Sequence, residues 1–222
     1  DQLPATDFQV RATLYDQEMK PVKTMLSDKF SIMRDSLNKI SISEKITERA
    51  LWSAEKPNLY TLTFELVGST GVTEAVSGRI GFKETEIRDQ VFYLNGKAVK
   101  LNGINSHMQH PLTGHAMDEA TIRKDLEIFK RFNINCVRTS HYPPVTRYLE
   151  LADEYGIYVV DETGDEAHAT EYLSRNAGWE QMYRERARKM VLRDRNHPSV
   201  LFWSAGNESG EGDNICAVID EG

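Results

Sequence analysis

The residues best suited to chemistry cluster at the ends of short apolar runs. Val200-Leu-Phe-Trp203, bounded by Pro198 and Gly206, reads as a strand buried on both faces, as in a parallel α/β sheet. It is followed at once by Asn207 and Glu208. A carboxylate and an amide at the carboxyl end of such a strand stand where α/β barrels place their reactive groups. A simple strand cap, satisfying loose backbone donors, fits the same two residues. Three earlier runs end in the same way, at Asn105/His107, at Arg138/His141, and at Asp161/Glu162 followed by Glu166 and His168. The pairing of His107 with His110 lacks an HExxH context, which argues against a zinc protease. His110 and His115 read as loop histidines, and His197, before Pro198, as a turn residue.

The elements that must position these groups follow from periodicity. Val99–Ile104, Asn135–Ser140, Ile157–Val160 and Val200–Trp203 read as strands. Between them, Ile122, Leu126 and Phe129 share a helix face, with Asp118 or Thr121 as cap. Thr146–Tyr155 is a second amphipathic helix closed by Gly156, and Trp179–Arg193 a third, highly charged one. Four βα units in succession predict a parallel sheet. The turn after the first strand, Asn102-Gly-Ile-Asn-Ser-His107, lacks the GxGxxG phosphate fingerprint, so a barrel with a polar rim fits better than a doubly wound sheet. A complete (β/α)8 barrel has eight such units, and about half are present.

Residues 1–88 differ. Phe8, Val10, Ala12 and Leu14, and again Tyr60, Leu62, Phe64 and Leu66, alternate with polar residues, the pattern of antiparallel strands in a β-sandwich. About five strands are legible where a sandwich usually has about seven, so its front strands are expected to be missing. All six histidines fall after residue 106, which assigns the two regions different tasks. The expected division is 1–88 for the sandwich and 89–222 for the half-barrel, with the Val91–Lys97 hairpin turning at Asn95-Gly96.

Composition narrows the partners. A net charge of −7 over 222 residues gives nothing to recruit nucleic acid or an anionic membrane. No apolar run approaches the ~20 residues of a membrane span. Cys136 and Cys216, the only cysteines, read as a free pair. Compartment stays open between the cytoplasm and periplasm of a bacterium.

Two long segments carry a resemblance. Asn135-Cys-Val-Arg-Thr-Ser-His-Tyr-Pro143 and Asp194-Arg-Asn-His-Pro-Ser-Val-Leu-Phe-Trp-Ser-Ala-Gly-Asn-Glu208 resemble the signature segments of glycoside hydrolase family 2. Gly103–Pro111, Met117-Asp-Glu and the Glu166-Ala-His168 pair resemble its β-galactosidase branch. Leu51–Tyr60 and Gly81-Phe-Lys83 resemble the immunoglobulin-like domain that precedes the barrel.

The resemblance implies a retaining exo-β-glycosidase acting on terminal β-D-galactosyl residues, with Glu208 as general acid/base. That role needs a carboxyl that can be protonated for the first step. It implies that Asn207 hydrogen-bonds the sugar 2-hydroxyl, that His107 and His141 contact the galactosyl unit, and that Arg138 lies near the nucleophile. Pairing of Arg138 with Asp161 or Glu162 is the structural alternative. Glu166, His168 and Glu208 match ligands of a magnesium ion, although histidine is an unusual ligand for so hard a cation. No glutamate here matches the family's nucleophile, so the isolated chain is expected to be inactive, an internal segment of a larger, homo-oligomeric enzyme. Ser106, Met108 and Gly164-Asp165 depart from the galactosidase pattern. They keep a β-glucuronidase or β-mannosidase as alternatives, beside a non-catalytic carbohydrate-binding or assembly module.

Overall fold

A computed structural model describes residues 5–33 and 35–222, residues 5 and 6 by backbone alone. The chain divides into two compact units. One comprises Asn58–Phe82 together with Ala50 and the residues before it; the other comprises Leu51–Pro57 and Lys83–Gly222.

The first unit is an antiparallel sheet of five strands, β1 (Ala5–Tyr15), β2 (Pro21–Leu26), β3 (Phe30–Ile32), β4 (Tyr60–Gly68) and β5 (Gly71–Ile80). Their order is β2-β1-β4-β5, with β3 also pairing with β1. The two-residue alternation holds in the pairing: Ala12 faces Phe64 and Leu14 faces Leu62 across β1 and β4. Ala12 and Leu14 are buried, while β5 is exposed along nearly its whole length. Tyr60 and Phe82 pack edge to face at 5.2 Å, and the Tyr60 hydroxyl accepts the Ala50 N–H at 2.7 Å.

The second unit begins with a small antiparallel sheet, β6 (Thr85–Arg88), β7 (Val91–Leu94) and β8 (Lys97–Ala98), whose β7–β8 turn is the expected Asn-Gly hairpin. Then come β9 (Gly103–Ser106), α1 (Glu119–Arg131), β10 (Cys136–Thr139), α2 (Thr146–Tyr155) and β11 (Tyr158–Glu162). Two short 3-10 helices (Glu171–Arg175 and Ala177–Trp179), α3 (Glu180–Asp194), β12 (Val200–Ser204) and α4 (Asp213–Glu221) complete it. Strands β9–β12 pair in parallel, in the order β12-β11-β10-β9, as consecutive βα units of a partial barrel.

Local chemistry explains the helix ends. The Asp118 carboxylate accepts the Thr121 N–H at 2.8 Å and caps α1, whose Ile122, Leu126 and Phe129 are buried. Gly156 ends α2 with φ 67°, and a Cβ there would run into the Ala54 carbonyl. These helices cover Val137, Val159 and Val200 to form the core.

Three expectations are corrected. The strand expected over Val99–Ile104 is shorter and later, because Asn102 is held by Asn135 Oδ1 (2.7 Å) and the Asn133 carbonyl (2.8 Å) in a loop. Strand β12 is not buried on both faces: it is an edge strand, and Trp203 is 38% exposed. Leu51–Pro57, expected in the sandwich, belongs to the barrel unit. Trp52, fully buried, donates Nε1–H to the Asp153 carbonyl (3.0 Å) and packs on Tyr158. Strand β6 and helix α4 have no counterpart in the sequence reading. Both cysteines are free. No helix among the described residues is long and apolar enough to cross a membrane.

Candidate active site

The site is built where β10, β11 and β12 end. Glu162, the last residue of β11, is fully buried, and its carboxylate takes three donors: Arg138 Nε at 2.6 Å, Ser204 Oγ at 2.6 Å and His141 Nδ1 at 2.7 Å. Arg138 lies on β10, His141 just beyond it, and Ser204 ends β12, opposite Glu162 in the parallel register. The Arg138 fork continues to Asn207, with Nη2 donating to Oδ1 at 2.9 Å. The Asn207 amide then donates to Glu166 Oε2 at 2.8 Å. One network therefore joins residues from three strand ends.

Backbone geometry turns Asn207 and Glu208 toward this network. A parallel bridge pairs Glu166 with Asn207, and the Asn207 N–H bonds the Asp165 carbonyl at 2.9 Å. Gly206 makes this approach possible: its φ is 151°, and a Cβ would sit 2.6 Å from the Asp165 carbonyl oxygen. Glu208 itself adopts φ 47°. Its carboxylate touches His168 Nδ1. Ligand atoms of Glu166, His168 and Glu208 lie within 4.8 Å of one another, and all three side chains are exposed. His107 stacks edge-on against His141 at 5.2 Å. His141 Nε2 stands 3.8 Å from Glu166 Oε2.

The structure thus gathers all seven sequence-selected residues, His107, Arg138, His141, Glu166, His168, Asn207 and Glu208, at one end of the sheet. Arg138 pairs with Glu162, the structural alternative, and bonds Asn207 with the same guanidinium. Glu162 and Ser204 are site residues that sequence reasoning left out. The Asp161-Glu162 pair was visible as rim, but alternation alone does not say which of two adjacent acids faces the site.

Asp161 faces away from it. Burial, reinforced by a hydrogen bond to Asp194 and by its charge, pushes the Asp161 carboxyl up to about 8, with Arg193 and Thr139 opposing. Asp194 is clamped by Arg193 Nε and Nη2 at 2.6 and 2.7 Å. At the opposite strand ends, His197 Nδ1 lies 2.6 Å from Asp153 Oδ2, and Asp153 Oδ1 accepts the Ser199 N–H at 2.9 Å. His197 is therefore a turn residue, as expected. Lys83 donates to the Pro198 (2.8 Å) and Val200 carbonyls, and burial pulls its ammonium down to about 8. His110 Nδ1 accepts the Leu112 and Thr113 N–H groups within its loop, and His115 Nδ1 lies 3.0 Å from the Tyr142 hydroxyl.

A buried ionic hub under an exposed carboxylate, set at the carboxyl ends of parallel strands, lies where α/β barrels place their active sites. Comparison with known proteins agrees. The model of the glycosyl hydrolases family 2 TIM barrel domain matches residues 85–221, and that of glycosyl hydrolases family 2 matches residues 2–83. The chain belongs to glycosyl hydrolase family 2. It is 46% identical to beta-galactosidase 2 of Enterobacter cloacae, over 81% of this chain and 18% of that protein. It is 37% identical to a beta-galactosidase of Streptococcus thermophilus, over 96% of this chain and 23% of that protein. The chain thus spans about a fifth of the length of these relatives. Among solved structures it is similar to a β-glucuronidase of Ruminococcus gnavus bound to D-glucuronic acid. The TM-score is 0.81 at 25% identity, covering 96% of this chain and 35% of that one.

Proposed function

We propose that the chain supplies the acid/base half of a retaining β-galactosidase that releases terminal β-D-galactosyl residues. The observation that carries this reading is the junction after β12, where Asn207, tied to Arg138 and Glu166, holds Glu208 beside it in the open. In the first step Glu208, as the acid, protonates the glycosidic oxygen; in the second, as carboxylate, it takes a proton from the attacking water. Asn207 is fixed by one Oδ1 and one Nδ2 bond. It keeps a lone pair and an N–H for the sugar 2-hydroxyl, a bond that strengthens in the oxocarbenium-like transition state. Arg138 uses Nε and one Nη2 hydrogen, leaving three donors for a further carboxylate. His107 and His141 flank the sugar position.

A retaining enzyme needs a second carboxylate ~5–5.5 Å from the first, and this reading places that nucleophile outside these 222 residues. The chain assayed alone is accordingly expected to turn over nothing. The sheet unit is read as the immunoglobulin-like domain that precedes the barrel.

The donor set fits a divalent cation: two carboxylates and an imidazole converge with their ligand atoms within 4.8 Å. Magnesium held by Glu166, His168 and Glu208 would supply positive charge beside the acid/base carboxyl. Specificity for galactose is supported by β-galactosidase relatives at 37–46% identity, against β-glucuronidase structures at 24–27%.

The test uses the intact protein with nitrophenyl β-galactoside, β-glucuronide and β-mannoside, with and without magnesium. Galactoside turnover that responds to magnesium and falls at least ~1,000-fold in Glu208→Gln is expected, in line with loss of acid/base assistance. Turnover of another glycoside keeps the mechanism and overturns the specificity. A folded protein that hydrolyses none overturns the enzyme reading in favour of a carbohydrate-binding module.

A further inference from the structure

Among the described residues, Glu162 is the one fully buried carboxylate on the site side of the sheet, and each of its oxygens is committed. Oε2 accepts Arg138 Nε and Ser204 Oγ, both at 2.6 Å, and Oε1 accepts His141 Nδ1 at 2.7 Å. A carboxylate withdrawn from water persists only when its charge is matched and its oxygens are hydrogen-bonded, and both conditions hold here. The three donors belong to three separate stretches of chain: β10, the turn after β10, and the end of β12. Arg138 and Ser204 lie in the ladder, paired with Val160 and Glu162, whereas His141 stands two residues beyond the end of β10.

From this hub the geometry runs outward by two routes. Arg138 passes to Asn207 at 2.9 Å and Asn207 to Glu166 at 2.8 Å, while His141 reaches toward Glu166 at 3.8 Å. Ser204 locks the start of the turn that carries Asn207 and Glu208. We propose that Glu162 is a positioning residue that sets the orientation of Arg138 and His141 and, through Arg138, of Asn207. Its link to turnover rests on the β-galactosidase reading above; its link to geometry does not.

The intact protein tests both. In Glu162→Gln the side chain keeps its shape, but its amide turns two hydrogens toward groups that are themselves donors. The expected loss is about 100-fold in kcat/KM, carried by kcat, as for a misplacement of reacting groups of about 1 Å. Glu162→Asp, which keeps the charge, recovers part of it. The double variant Arg138→Met/Glu162→Gln is expected to lose less than the two single losses combined, because Glu162 acts in part through Arg138.

A purely structural role would instead lower the melting temperature and leave kcat and KM of the folded enzyme unchanged. That outcome, or additive losses in the double variant, overturns the proposal. If Glu162→Gln does not fold, Ser204→Ala removes one donor without touching charge and is expected to cost about tenfold; a loss under twofold overturns the proposal.

The Arg138 Nε–H resonance, followed by nitrogen–proton NMR, reads the anchoring without turnover. It is expected to shift and exchange faster with solvent in Glu162→Gln. If the wild-type protein hydrolyses no glycoside, the enzyme reading falls, and this resonance still decides the geometry: an unchanged signal overturns it.

Discussion

In the sheet unit, charge stays at the surface. Arg11 and Glu65 pair across β1 and β4 at 2.7 Å, with side chains 39% and 24% exposed, and burial there falls to residues such as Ala12, Leu14 and Thr13. In the barrel unit the same chain buries Asp153, Asp161, Glu162, Asp165 and Asp194. Among the described residues these are all the buried carboxylates, and Asp161, Glu162 and Asp165 lie at or just beyond the carboxyl end of one strand, β11. Burying an acid costs several kcal/mol unless partners compensate, so such a concentration marks where a fold spends stability on geometry. The sheet unit carries a scaffold's electrostatics, and the barrel unit carries those of a site.

The largest expected effects test whether the core supports that burial. Leu149, fully buried in the helix–sheet core, is expected to cost about 2–5 kcal/mol when cut to Ala. Val76→Ala, on exposed β5, should stay within about 0.5 kcal/mol. Urea unfolding of both variants measures the difference. Equal costs would break the contrast between the units.

Backbone strain should follow the same division. At Gly156, Ala must take a left-handed conformation, worth about 1–3 kcal/mol, and also displace the Ala54 carbonyl. At Gly71 in the sheet unit φ is 113° but a Cβ meets nothing within 4 Å, so Gly71→Ala should show the conformational cost alone. Thermal midpoints that fall further for Gly156→Ala than for Gly71→Ala sharpen the comparison.

How much of this was legible in the sequence follows the same physics. Helices α1 and α2 and strands β10 and β11 were readable because a 3.6-residue apolar stripe, an Asp118 cap and a Gly156 stop act locally. That the seven selected residues would meet at one end of the sheet was readable because family-like segments keep them in fixed order after strands. Glu162 was legible as a possible rim partner of Arg138 but not as a hub, since its other contacts, His141 and Ser204, lie up to 42 positions away. Trp52 looked like a sandwich residue for the same reason: its indole partner, the Asp153 carbonyl, lies 101 positions on. Exposure of β12 was hidden too, because an apolar run does not reveal how many neighbours its strand has.

The next effect is a slope with pH. The folded Asp161 carboxyl sits near 8, well above its unfolded value of about 3.8, because burial and Asp194 favour the proton. Between those values the unfolded chain has lost the proton and the folded one keeps it. Stability of the barrel unit therefore declines as pH rises from about 4 toward 8, by at most about 1.4 kcal/mol per pH unit. Asp161→Asn, which keeps a donor for Asp194, should flatten that decline in urea midpoints taken from pH 5 to 8. A wild-type profile already flat over this window would refute the raised Asp161 carboxyl.

The smallest effect has the opposite sign and belongs to the sheet unit. Hydrogen bonding to Arg11 lowers the Glu65 carboxyl. Whatever the pair contributes is present above the unfolded value and lost as pH falls through the lowered one. Both groups are solvated, so screening and side-chain entropy leave little net gain. A double-mutant cycle with Arg11→Met and Glu65→Gln should show coupling too small to move the urea midpoint, and still smaller in 1 M salt. Coupling comparable to that of the Arg138–Glu162 pair, measured the same way, would show that exposure does not set the worth of an ion pair here. The two units would then differ in what their charges touch and not in how deeply they are buried.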